Sequence, residues 1–144
     1  MTAAERVAHH EASHGALFEC SGVPVLELVL EERGTAARGH AAAEDGHGPI
    51  PGVAMLVPQP SRSDRRHAST AAARAVAPGR SEWEAQRHPH YEALQAEWTS
   101  SAARFLDDHA SAVTALARAL MRQRRLSGDE VRDILRAHGA PTSR

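Results

Sequence analysis

The sequence sets a Ser or Thr three residues ahead of a Glu at Thr2/Glu5, Ser81/Glu84 and Ser127/Glu130, the spacing of a capping box. At a helix start the hydroxyl accepts the third N–H while the carboxylate reaches back to the cap, so two orphan donors are satisfied together. Thr2 opens a predicted helix over residues 2–20, with Ala3, Val7, Leu17 and Phe18 at helical intervals and Gly22 and Pro24 closing it. Ser127 opens the last helix, with Leu126 and Val131 placed as a hydrophobic staple and Gly139 and Pro141 to end it. Residues 64–77 are helix-competent and are stopped by Pro78 and Gly79, and His88-Pro89 breaks or restarts the helix that Ser81 begins. Over residues 90–122, Leu94, Trp98, Phe105, Val113, Leu116 and Leu120 recur mostly at three- or four-residue multiples, which predicts an amphipathic helix or a helix pair.

Only residues 25–32, a branched and leucine-rich run between Pro24 and Gly34, suit a strand better than a helix. Residues 34–62 read as irregular, because glycines and prolines punctuate them throughout; within them residues 52–57 suit a short helical turn or a strand. Of the 60 apolar residues 29 are alanine, which buries little surface but favours helix, so the core expected is one of closely packed helices. The 144 residues fit one domain, mainly α (α+β), with one short edge strand or a small sheet.

Several function classes fall away. All 17 basic residues are arginine, so neither a phosphate-binding GxxxxGK[ST] loop nor lysine Schiff-base chemistry is available. Cys20, the single cysteine, excludes an internal disulfide and an all-cysteine metal site. A net charge of −1 gives no field toward nucleic acid or anionic lipid, and 3% aromatics make a poor stacking platform. No apolar run has the length of a membrane span, and the polar start of the chain lacks signal-peptide character, so a cytoplasmic location is expected.

Inside the first helix, His10-Glu11-Ala12-Ser13-His14 has the HExxH spacing. Positions i and i+4 share a helix face, so the two imidazoles can bind one zinc ion while Glu11 lies against a water on it. Zinc lowers the pKa of such a water, which makes Glu11 the candidate general base for attack on a peptide carbonyl. Chance alone gives this spacing in roughly one chain of eighteen at this histidine and glutamate content, so a third ligand has to be found. The extended HExxHxxGxxH form is absent. Asp64, fifty residues after His14, is the leading candidate; it opens a helix, where the dipole alone would also favour an acid. His67, one turn further on, is the reserve ligand, and Glu44 and Asp45 in the predicted loop are weaker candidates.

The run from Val7 to Leu17 resembles the opening of the peptidase domain of FtsH-type zinc metalloproteases, whose signature is HEAGH within a longer AxHEAGHAL segment. Residues 26–39, LELVLEERGTAARG, are similar to that family's strand and RGxALG turn. Residues 63–73, SDRRHASTAAA, resemble its NDxxxAT segment, and residues 115–135 its closing leucine-rich helix, short turn and last helix. Ser13 stands where the family has glycine, and residues 52–56 lack the glutamate of its GGxAAE helix. The resemblance implies a helical zincin-like domain over residues 1–144, with a zinc-site half at 1–77 and a C-terminal helical half at 81–139. It implies Zn2+ held by His10, His14 and Asp64, with Glu11 as catalytic base, cleaving unfolded or flexible protein segments. Because it covers only the peptidase part of that architecture, it also implies an ATPase partner in trans and a homo-oligomer. The strand at 25–32, if it edges the sheet beside the zinc, would take up an extended peptide by main-chain pairing, and Glu27, Glu31 and Glu32 would then disfavour acidic substrates. Two other readings stand beside this one: a catalytically inactive helical interaction module that keeps the fold, and a regulatory metalloprotein that cuts one repressor-like target.

Overall fold

The computed structural model describes residues 1–44, 54 and 56–144. In chain order these form α1 (Ala3–Cys20), β1 (Val25–Arg33), β2 (Ala36–Ala43), α2 (Arg62–Val76), α3 (Glu82–Ala85), α4 (Tyr91–Asp108), α5 (Ala110–Gln123), β3 (Arg125–Ser127) and α6 (Gly128–Ala137). The domain is therefore mainly helical with one small antiparallel sheet, of strand order β2-β1-β3. Among the described residues no helix is long and apolar enough to cross a membrane.

The capping signals act where the sequence places them. Thr2 and Glu5 form both halves of a capping box on α1, and Ser127 accepts from the Glu130 N–H at the start of α6. Leu126 and Val131, the staple pair, are both fully buried. Ser81 caps only the four-residue α3, and residues 90–122 form a helix pair that bends at His109.

The sheet departs from expectation in two ways. Residues 36–43, read as irregular, are strand β2, paired with β1 from Arg33↔Ala36 to Val25↔Ala43. Gly34, at φ +63°, begins the two-residue turn between them, the place a type II′ hairpin turn reserves for glycine. Alanine and glycine are poor strand formers, so the pairing with β1 rather than local propensity makes β2 a strand. β1 is also not the edge strand: β2 covers one side of it and β3 the other, through Glu27↔Ser127, Leu28↔Leu126 and Val29↔Arg125. The expected edge role passes to β2.

Small residues set the distance between layers. Ala4, Ala8, Ala12 and Ala16 form one buried stripe along α1, and a Cβ on Gly15 would stand 3.1 Å from Leu28 Cδ1. On β2, a Cβ at Gly39 would fall 2.7 Å from the Val29 carbonyl and 2.8 Å from Glu11 Cγ. The alanine surplus thus lets α1 pack closely on β1, β2 and α5. The larger side chains, among them Leu17, Leu28, Leu116, Leu120, Leu126 and Leu135, fill the space that remains. A second cluster, around Ala72, Ala85, Tyr91 and Trp98, joins α2, α3 and α4. Trp83, by contrast, is 61% exposed and stacks under the Arg87 guanidinium.

Candidate metal centre

α1 presents His10 and His14 one turn apart on a single face, with ring centroids 4.7 Å apart and the rings nearly perpendicular. Their Nε2 atoms lie 3.1 Å from each other. Asp64, in the first turn of α2, completes the group: its Oδ2 is 3.0 Å from His10 Nε2 and its Oδ1 is 3.2 Å from His14 Nε2. A tetrahedral ion with bonds of about 2.0–2.1 Å spaces its ligand atoms about 3.3 Å apart. The two imidazole nitrogens meet that spacing, each faces a different Asp64 oxygen, and one ligand atom from each of the three residues lies within 4.8 Å of the others. Two imidazoles and one carboxylate also suit zinc chemically, with a coordination position left for water or substrate.

The surroundings fix which atoms face inward. His14 Nδ1 lies 2.6 Å from the Ala54 carbonyl oxygen, so it carries the proton and donates, leaving Nε2 directed at the cluster. Asp64 is held by the start of its own helix: Ser61 N–H donates to Asp64 Oδ2 at 2.8 Å, and Asp64 N–H donates to Ser61 Oγ at 3.0 Å. This is a capping box with aspartate at the third position, which the sequence search for Ser/Thr-x-x-Glu passes over. The side chain that caps α2 is thus the same one that reaches the two histidines.

Charge is unevenly distributed over the cluster. Burial alone would raise the Asp64 carboxyl, but its hydrogen bonds to His14 and Ser61 outweigh that and hold it well below the usual carboxylate range. For His14 burial works against the charged form, yet the Asp64 hydrogen bond and charge leave its pKa raised. His10 goes the other way, lowered by burial and by the neighbouring His14. Protons therefore compete for His14 at a higher pH than for His10.

Glu11 is buried on α1 against Gly39 in the middle of β2. Burial raises its pKa, which brings a carboxylate closer to the range useful for proton transfer at neutral pH. It takes no hydrogen bond to its carboxylate among the described residues, and it lines the same open cleft of about 870 Å3 as His10, His14 and Asp64. Gly39, His40 and Ala41 of β2 form part of the wall of that cleft. Sequence reasoning had given no role to Ser61, Gly39 or the Ala54 carbonyl. For Ser61 the aspartate form of the capping box was the available signal; for the other two, contacts between distant segments leave no local mark.

The remaining candidates stand apart. His67 is exposed and lines the cleft, but it is outside the group of converging ligand atoms. Glu44 is exposed and pairs with Arg144 at 2.9 Å. Asp45 lies outside the described residues. Of Arg118, Arg122, Arg124 and Arg125 near the end of α5, Arg124 pairs with Glu32 and Arg125 with Glu27.

Ser61→Ala is expected to cost about 1 kcal/mol of stability, the usual effect of removing a helix cap. If the cap also orients Asp64, divalent-cation affinity should fall by roughly tenfold, as for other groups that orient a metal ligand. Urea denaturation and cation titration measure the two separately, and Ser61→Thr should restore both. Unchanged cation affinity alongside the stability loss would remove Ser61 from the site.

No family model matches the chain, and no curated protein matches it.

Proposed function

We propose that this chain is a zinc-dependent endopeptidase, related in its site to the FtsH-type metalloproteases. The observation that carries the proposal is the convergence of His10, His14 and Asp64 at an open cleft that Glu11 also lines. Those three residues would hold the zinc ion. When bound, zinc would supply a Lewis acid that acidifies a water and polarises the scissile carbonyl.

The chain's own groups divide the rest of the work. Glu11 takes a proton as a water oxygen attacks the carbonyl carbon, and returns it to the amide nitrogen as the C–N bond breaks. Its burial favours holding that proton between the two steps. Asp64 carries the negative charge that offsets the cation and fixes both imidazoles. Among the described residues the outer edge of β2 pairs with no other strand, and beside the cleft an extended peptide can add there as a further strand with little demand on its side chains. Flexible or unfolded protein segments meet that requirement, and folded substrates would need an ATPase acting in trans. A cytoplasmic setting and assembly into a homo-oligomer both agree with this reading.

Elemental analysis of the purified protein should find about one zinc per chain, and cleavage of an unfolded substrate such as casein should stop on chelation and return with added zinc. A protein that binds no zinc even after reconstitution would sink the proposal. Asp64→Asn should weaken zinc retention far more than Glu44→Gln; the reverse order would move the third ligand to the loop. Because the His14 pKa is raised, protons compete with the metal from a higher pH than at an ordinary histidine. Zinc retention should therefore begin to fall, as the pH drops, at a higher pH than for a site built on an unperturbed histidine.

A further inference from the structure

Residues Arg6, His10, His14 and Phe18 follow one another at four-residue intervals on α1, and all four line the cleft. One stripe of the helix therefore runs from a permanent cation, across the two histidines, to an aromatic ring. Arg6 and Phe18 lie about 18 Å apart along such a stripe, the span of roughly five residues of extended peptide. The Arg6 guanidinium donates to the Met1 carbonyl at 2.8 Å and pairs with no carboxylate among the described residues. His9 and His67 also line the cleft and add further donors.

The acids that would oppose an anionic substrate are placed elsewhere. Among the described lining residues the only carboxylates are Glu11 and Asp64, and a divalent ion at the centre would offset both. Glu27, Glu31 and Glu32, expected from the sequence to repel acidic substrates, are absent from the described lining and are paired with Arg125, Arg38 and Arg124; Glu27 also stands 3.5 Å from His40 Nε2 in the cleft wall. Arg38 lies opposite Glu31 on β2, while Arg124 at the end of α5 and Arg125 on β3 reach Glu32 and Glu27 from the other side of β1.

We infer that the cleft selects extended peptides with an acidic side chain toward the Arg6 end. This rests on the peptidase reading, and it names the substrate class of the same site. Arg6 acts as a specificity residue, one helical turn from the first histidine, so the acidic side chain sits within two or three residues of the scissile bond.

The test uses labelled peptides of matched sequence that carry Glu, Gln or Lys at each of three positions on either side of a fixed central pair. Affinity is measured on the full chain bearing Glu11→Gln, and cleavage on the wild type. At one position Glu should bind roughly three- to tenfold tighter than Lys, a range set by one partly exposed ion pair. Arg6→Glu should invert that order and Arg6→Gln should flatten it. Both variants should fold, since an acid in the first turn of a helix is favoured by the dipole. Binding without charge preference, or a preference that Arg6→Glu leaves in place, overturns the inference even if peptides are cut. A preference in binding with no cleavage of any peptide keeps the inference and overturns the peptidase reading.

Discussion

Glu11→Gln is expected to lower peptide hydrolysis by about 10²- to 10⁴-fold while zinc content and thermal stability stay near those of the wild type. The substitution keeps the shape of the side chain and removes only its capacity to take a proton. Glu11 is separate from the three converging ligand atoms, so losing its charge should leave the metal held. Its surroundings leave little room for a substitute base to move in: a single Cβ on Gly39 would approach Glu11 Cγ to 2.8 Å. That contact gives an independent check, because Gly39→Ala should push against the Glu11 side chain and the Val29 carbonyl and lower activity without replacing any ionisable group. Measured with zinc-loaded protein on an unfolded substrate, undiminished cleavage by Glu11→Gln would mean another base or a contaminating protease. Loss of zinc together with activity would mean that Glu11 belongs to the ligand set instead.

What the sequence revealed and what it hid follow from the range of each interaction. The spacing of His10 and His14 is a property of one helix, so a five-residue motif was enough to place both side chains on one face. The caps at Thr2 and Ser127 are equally local. Asp64 could be singled out as an acid at a helix start, but its aim at the histidines depends on Ser61 and on how α2 meets α1. β2 had no signature at all, since Ala-Ala-Arg-Gly-His-Ala-Ala-Ala becomes a strand only because β1 offers it a ladder. Its small residues, which weaken the propensity signal, are what allow the sheet to lie against Glu11. The edge position of β1 was misread for a related reason: β3 is three residues long and nearly a hundred positions away in sequence.

A comparable non-local contact carries the second large effect. Glu19 is fully buried in the last turn of α1, and its carboxylate receives four hydrogen bonds: from Val25 N–H at 2.6 Å, Arg132 at 3.0 Å, and Ser143 N–H and Oγ at 2.9 and 2.7 Å. Arg132 on α6 is nearly as buried; it also bonds Asp129 at 2.9 Å and reaches the Val25 carbonyl at 3.4 Å. One ion pair thus fastens the end of the histidine helix, the start of β1, α6 and the residues after it. Gly128 allows this approach, since a Cβ there would collide with the Val25 carbonyl oxygen.

Glu19→Gln should therefore destabilise the protein by about 3–5 kcal/mol, because it leaves the buried Arg132 with only the exposed Asp129 as counter-charge and points an amide NH2 at groups that already donate. In urea the unfolding midpoint should fall by more than about 1 M with little change in slope. Arg132→Met should do comparable damage by stranding the carboxylate. The pair Glu19→Leu with Arg132→Met should recover much of the loss, since a buried ion pair replaced by apolar side chains of similar volume is often neutral. A loss below about 1 kcal/mol for Glu19→Gln would mean that apolar packing alone docks α6 on the sheet. Strict additivity of Glu19→Leu and Arg132→Met, each measured singly and then together, would show that the two side chains act independently despite their contact. Since Glu19 lies five residues beyond His14 on the same helix, the folded fraction of Glu19→Gln should still bind zinc with wild-type affinity if the network serves only to hold α1 in place.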